Sequence, residues 1–168
     1  SRARGGLGHT RLSLLDFSGG AQPLRSRRSE RLIVYNGELY NHGALREELQ
    51  REGVAFASRC DTEVVLAAYD QWGPACVERF DGMFAFAVLE RDRLVVARDR
   101  FGIKPLFTWA SPDGRTVAFA SEARALFALD AVSTALDRTA LLEAFVLGYP
   151  LADRTLFRDI KRCPPGHV

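Results

Sequence analysis

An α+β fold layered as helix, sheet, sheet, helix is expected from three features of this sequence. Residues 83–89 are apolar on both alternate sets, with Phe84, Phe86 and Val88 on one and Ala85, Ala87 and Leu89 on the other. Such a strand is covered on both faces. Residues 111–115, Ser-Pro-Asp-Gly-Arg, join two short β-type runs with the residue types a hairpin turn requires. Helical periodicity lies on either side of these hairpins, in residues 41–53 and 61–73 before them and in 122–127 and 138–147 after them.

Taken in order, residues 9–15 read as a strand with Leu12, Leu14 and Leu15 apolar, and 16–23, which hold Ser18-Gly19-Gly20, read as a turn. Residues 32–35 form a short strand. Asn41 stands where a helix cap belongs, before a helix that carries Leu45 and Leu49 and stops at Gly53. A second helix starts near Asp61, buries Val64, Val65, Leu66, Ala68 and Tyr69, and ends at Gly73-Pro74. The charged turn 90–93 leads from the apolar strand into a second strand at 94–97, making a buried hairpin. Residues 105–109 and 116–120 form the other hairpin. Asp137 caps the last helix.

The chain of 168 residues suits one domain, and 47% hydrophobic with 26% charged residues is a globular composition. No apolar run reaches the roughly 20 residues a membrane helix needs, so no membrane partner is expected. Net charge is +2. Only Lys104 and Lys161 are lysines among the 23 basic residues, and most arginines alternate with acids. The one basic cluster, Arg25, Arg27, Arg28 and Arg31, reads as a solvated turn rather than an anion grip. Its basic residues are not interleaved with exposed aromatics, which disfavours a nucleic-acid-binding module. Cys60, Cys76 and Cys163 are odd in number and far apart, so neither a disulfide framework nor a zinc site follows. They read as small core residues in a reducing, cytoplasmic setting, and no metal is expected.

Several runs carry a resemblance to a known family. They are Gly8-His9-Thr10-Arg11-Leu12-Ser13-Leu14-Leu15-Asp16 with Gly20-Ala21-Gln22-Pro23-Leu24, then Tyr35-Asn36-Gly37-Glu38-Leu39-Tyr40-Asn41, then Cys60-Asp61-Thr62-Glu63-Val64. Asp81-Gly82-Met83-Phe84-Ala85-Phe86, Arg98-Asp99-Arg100-Phe101-Gly102-Ile103-Lys104-Pro105-Leu106, Phe119-Ala120-Ser121-Glu122 and Pro164-Pro165-Gly166-His167 follow. In this order and at these short gaps they resemble the class II glutamine amidotransferase domain that opens asparagine synthetases. The resemblance implies an amino-terminal-nucleophile hydrolase with an αββα sandwich of two antiparallel sheets. It also implies glutamine as the substrate, hydrolysed to glutamate and ammonia.

The resemblance assigns roles that the chemistry of glutamine makes sensible. Arg11 is the candidate for the α-carboxylate, since a guanidinium makes a planar bidentate pair with it. Asn36 and Gly37 match the oxyanion hole, the asparagine through its side-chain amide and the glycine through its N–H. Taken alone, Asn-Gly is a strong turn signal, and a turn there would aim that N–H. Glu38 and Asp61 are the candidates for the α-ammonium, although Asp61 also sits where a helix cap belongs. Glu63 reads as helix surface. Residues 99–105 read as a structural turn that faces a partner domain.

The family nucleophile is an amino-terminal cysteine followed by glycine and an apolar strand, and it lies well upstream of the run that holds Arg11. No residue here matches it. Ser1 is followed by Arg2-Ala3-Arg4 and lies too close to that run, so it is rejected, and the chain reads as truncated at its amino terminus. Losing that strand is expected to leave folding marginal and the fragment inactive in glutamine hydrolysis. The resemblance further implies an absent C-terminal synthetase domain. That domain would bind ATP and Mg and amidate aspartate to asparagine, and a homodimer is compatible with it. No cofactor is expected in residues 1–168. The alternatives are a non-catalytic remnant that keeps the fold and binds glutamine, or the amidotransferase half of a relative acting on another carboxylate.

Overall fold

In the computed structural model, residues 5–10 and 20–168 are described. The elements in chain order are β1 (Leu24–Arg25), β2 (Leu32–Leu39), α1 (His42–Arg51), α2 (Asp61–Trp72), β3 (Gly82–Leu89), β4 (Leu94–Arg98), β5 (Phe107–Ala110), β6 (Val117–Ala120), α3 (Arg138–Leu147) and β7 (Ile160–Arg162). Two 3-10 helices, Gly73–Arg79 and Ala123–Ala128, complete the set. One sheet runs β1-β2-β3-β4 and the other β6-β5-β7, with every pairing antiparallel.

The two-faced strand sits where its sequence demands. β3 is central in its sheet and pairs with β2 along its whole length, from Leu32 opposite Leu89 to Leu39 opposite Gly82. On its outer face Phe84, Phe86 and Val88 join Ile33, Tyr35 and Leu39 of β2 in one core with Leu45 and Leu49 of α1 and Val64, Val65 and Ala68 of α2. Its inner face carries Ala85, which packs with Leu106 and Cys163 against Val96 and Phe119 between the sheets. A second core of Trp109, Leu126, Val132 and Ile160 covers the far face of the second sheet, with Phe127 edge-on to Phe157 at 4.7 Å. The order helix, sheet, sheet, helix therefore holds, and a 3-10 helix supplies much of the last layer.

Several local expectations change. β2 is eight residues long, not four, because its inner-face positions 36 and 38 are polar and hide the alternation. β1 and β7 were invisible as runs of two and three residues. Of the strand expected at 9–15, residues 9 and 10 have no regular structure, and the rest lies outside the described residues. Asn41 precedes α1, but its side chain makes no cap hydrogen bond. Instead Asn41 Nδ2 donates to Arg79 O at 2.8 Å and Asn41 Oδ1 accepts from Asp81 N at 3.0 Å. It ties α1 to the entry of β3. Asp137 caps α3 as expected, accepting from Thr139 N and Ala140 N.

The basic cluster is only partly a solvated turn. Arg31 is ion-paired to Asp70 at 2.8 Å and Glu90 at 3.4 Å, and Tyr69 Oη donates to Glu90 at 2.7 Å. Its charge is spent holding the β1–β2 turn against α2 and the β3–β4 turn. On α3, Leu142, Phe145 and Val146 face solvent, with Phe145 81% exposed. Among the described residues no helix is long and apolar enough to cross a membrane.

Candidate active site

The geometry of the site follows from how β2 shares its hydrogen bonds. In an antiparallel ladder, residues alternate between pairs that exchange N–H···O bonds and pairs that turn these groups outward. Phe84 N–H donates to Asp99 Oδ2 at 3.3 Å, and Phe84 O accepts from Asp99 N at 2.8 Å, so its polar groups serve the β4 side. Its partner Gly37 is then in a pair without cross-strand bonds, and the Gly37 N–H points out of the other side of β2. Tyr35 and Leu39 point the same way, and side chains hold both. Tyr35 N donates to Gln22 Oε1 at 2.6 Å, and Gln22 Nε2 donates to Tyr35 O at 3.0 Å. Leu39 N donates to Asp61 Oδ2 at 3.1 Å. Gly37 lies between these two clamps.

Asn36 and Glu38 alternate with Gly37 and project from the inner face, toward the space between the sheets. A cleft of about 1730 Å³ opens there, and Tyr35, Asn36, Gly37, Glu38, His42 and Asp61 all line it. The expected oxyanion pair and the expected ammonium pair therefore share one cleft. Asn36-Gly37 is not a turn, since both residues lie within β2. The strand edge aims the N–H instead. Gly37 is required because of how closely β3 approaches: a Cβ there would stand 2.3 Å from Met83 O and 2.8 Å from Phe84 Cα.

Asp61 is the first residue of α2, whose cap position is Cys60. Its carboxylate reaches back to β2 rather than to the N–H groups of its own helix, so the cap reading of Asp61 is not what the structure has. The loop before it is tightly specified. Arg46 Nη1 donates to Ser58 O at 2.9 Å and Arg46 Nη2 to Cys60 O at 3.1 Å. Glu63 accepts from Ala57 N at 2.9 Å, Ser58 N at 2.8 Å and Ser58 Oγ at 2.7 Å. Glu63 is thus a clamp on the 57–58 backbone and not plain helix surface. Burial pushes its carboxyl up, but these hydrogen bonds outweigh burial and hold it below the ordinary glutamate range.

Gln22, Tyr35 and His42 were missed as site residues. Gln22 and Tyr35 stood inside recognised runs, but neither bears a charge that periodicity would flag. Arg11 lies outside the described residues, and its chain neighbour Thr10 lines the cleft. The 99–105 turn is structural, as expected. Asp99 is fully buried and also accepts from Phe101 N, Ile103 N and Lys104 N at 3.1, 2.9 and 3.0 Å. Arg98 donates to Lys104 O, Gly102 O and Cys163 O. All three cysteines are buried, and none is in a disulfide. Burial pushes the Cys76 thiol up to about 12 and raises that of Cys163, which suits core residues rather than nucleophiles. Among the described residues no group of His, Cys, Asp and Glu forms a metal cage.

Comparison with known proteins bears on the family and the fold. The family model described as "Glutamine amidotransferase domain" matches residues 1–168. Asparagine synthetase [glutamine-hydrolyzing] 3 of Bacillus subtilis is 41% identical over 166 residues, which covers 96% of this chain and 27% of that protein. Asparagine synthetase B of Escherichia coli is 41% identical over 122 residues, covering 71% and 22%. Among solved structures, the glutamine phosphoribosylpyrophosphate amidotransferase of B. subtilis superposes with a TM-score of 0.61 at 26% identity, over 71% of this chain and 28% of that one. The chain spans about a quarter of the length of the curated relatives it matches.

Proposed function

The chain belongs to the glutamine amidotransferase domain family, in the class II form found in asparagine synthetases, and on that premise we propose that its inter-sheet cleft binds glutamine and releases the side-chain nitrogen as ammonia. The observation that carries this reading is the outward edge of β2. There the Gly37 N–H leaves the β2–β3 ladder, and Asn36, Glu38 and Asp61 line the same cleft.

Attack on the amide carbon of glutamine places negative charge on its oxygen. Two donors from adjacent residues stabilise that charge where it develops, and a rigid strand spares the cost of orienting them. The substrate ammonium is met by Glu38 and Asp61, and Arg11 takes its carboxylate. A cysteine nucleophile, the one the family resemblance implies, lies outside these 168 residues in this reading. In the longer protein, ammonia then serves an ATP- and Mg-dependent amidation of aspartate on a synthetase domain. Three cysteines without a disulfide fit a cytoplasmic setting.

Calorimetry on the 168-residue chain tests this. Glutamine is expected to bind without ammonia release, because the described cysteines are buried. Asp61→Asn is expected to weaken binding by roughly tenfold, the worth of a charge-assisted hydrogen bond. The amide oxygen still accepts from the Leu39 N–H, so the fold is kept. An unchanged affinity in Asp61→Asn would overturn the proposal, and ammonia release by the unaltered chain would overturn the placing of the nucleophile outside these residues.

A further inference from the structure

One buried polar group beside the cleft has no role so far. Tyr35 is 4% exposed, and its hydroxyl has no hydrogen-bond partner among the described residues, although the residue lines the cleft. A buried hydroxyl without a partner is costly, and native structures seldom keep one without a use. Its position is nevertheless tightly fixed. The ring packs in the outer-face core with Leu39 and Phe86, and Gln22 holds both backbone groups of Tyr35. Gln22 Nε2 also reaches Thr62 Oγ1 at 3.5 Å, so the start of α2 is tied to this point of β2.

The neighbour that matters is Asp61. Burial first, and then the Asp61 carboxylate through its charge and its pull on the hydroxyl proton, keep the phenol protonated far above the ordinary tyrosine range, with Glu38 adding to the effect. Hydroxyl and carboxylate thus lie within reach of one another, in a contact too loose to count as a formed hydrogen bond. Hydrogen bonds at active sites are often loose without a ligand and tighten when one binds.

We propose that Tyr35 is a positioning residue for the ammonium subsite, its hydroxyl donating to the Asp61 carboxylate when a substrate ammonium occupies the cleft. The Leu39 N–H already holds one carboxylate oxygen from the strand side. A phenol donor added to it would fix the orientation of the carboxylate, leaving its remaining lone pairs to meet the ammonium. This inference rests on the glutamine reading of the site.

The test compares glutamine with glutaramic acid, which is glutamine without its α-ammonium, by calorimetry on the full chain. The unaltered chain is expected to prefer glutamine. Tyr35→Phe removes only the hydroxyl oxygen. It is expected to weaken glutamine by roughly tenfold, as for a hydrogen bond to a charged group, and to leave glutaramic acid unchanged. In an Asp61→Asn background, Tyr35→Phe is expected to have no further effect, because the two act as one unit. An undiminished preference in Tyr35→Phe overturns the role of Tyr35 and leaves the site reading standing. An equal loss for both ligands, or loss of the cooperative melt, makes the hydroxyl structural and also overturns the inference. No preference in the unaltered chain removes the glutamine reading, and this inference with it.

Discussion

A Gly37→Ala protein is expected to lose both its stability and its glutamine binding. The added methyl would meet the Met83 carbonyl oxygen at 2.3 Å, the Phe84 Cα at 2.8 Å and the Phe84 Cβ at 2.9 Å. Two of these atoms are backbone, so no rotamer change relieves the contact. Either β2 separates from β3 at its centre, or Gly37 swings out of the ladder and its N–H turns away from the cleft. Overpacking of a core costs about 1–3 kcal/mol and sometimes more, and a backbone clash in the central strand pair belongs at the upper end. Urea unfolding is expected to show a loss of at least about 3 kcal/mol, with glutamine affinity gone even in the fraction that folds. A stable Gly37→Ala protein with normal affinity would mean that the close approach of β2 and β3 is not a constraint.

Asp99→Ala is expected to be as damaging through a different route. Asp99 is fully buried, and its carboxylate takes the N–H groups of Phe84, Phe101, Ile103 and Lys104. Alanine would strand all four. An unsatisfied buried donor costs about 1–3 kcal/mol, and solvent entry at the loop relieves part of the total, so a loss of about 3–5 kcal/mol is expected. The effect also has a signature in pH. Burial pushes the Asp99 carboxyl up, but the four backbone donors outweigh it and hold the group below the ordinary aspartate range. A folded value below the unfolded value means that the contribution is fully present above the unfolded pKa of about 3.9. It is lost as pH falls through the depressed folded value. Asp99→Asn is therefore expected to flatten the acid limb of the stability curve below about pH 4, while lowering stability at neutral pH. An unaltered acid limb would show that the carboxylate is not charged in the fold.

Those two residues also show what was legible in the sequence. Asp99 belonged to a recognised run, and its structural reading was correct. Its four bonds were not legible, because they depend on a loop folding back over one side chain. For Gly37, the residue type and its role were read from the resemblance, while the local conformation was misread. Asn-Gly favours a turn in isolation, but here β3 pairs with β2 across the whole of 32–39 and overrides that preference. The helices and the two hairpins were plain from periodicity; α1, α2 and the hairpins bury apolar faces, whereas α3 buries only Ala140 and was marked by its Asp137 cap. β1, β7 and the 3-10 helix after α2 were not, being too short or too tied to tertiary contacts to leave a pattern. Glu38 and Asp61 both line one cleft, set there by a strand that alternates and a loop that Arg46 and Glu63 clamp. Gln22 and Tyr35 escaped notice because their roles are made by contact, not by charge or spacing.

The most direct test of the proposed glutamine site is a titration of the nitrogen-labelled chain with glutamine, followed by the backbone amide resonances. The account predicts that the Gly37 amide shifts most, with Glu38, Leu39 and Asp61 close behind, and that Asn36→Ala removes the Gly37 shift. Shifts confined to the exposed face of α3 or to the β1–β2 turn, with Gly37 unmoved at saturation, would contradict it.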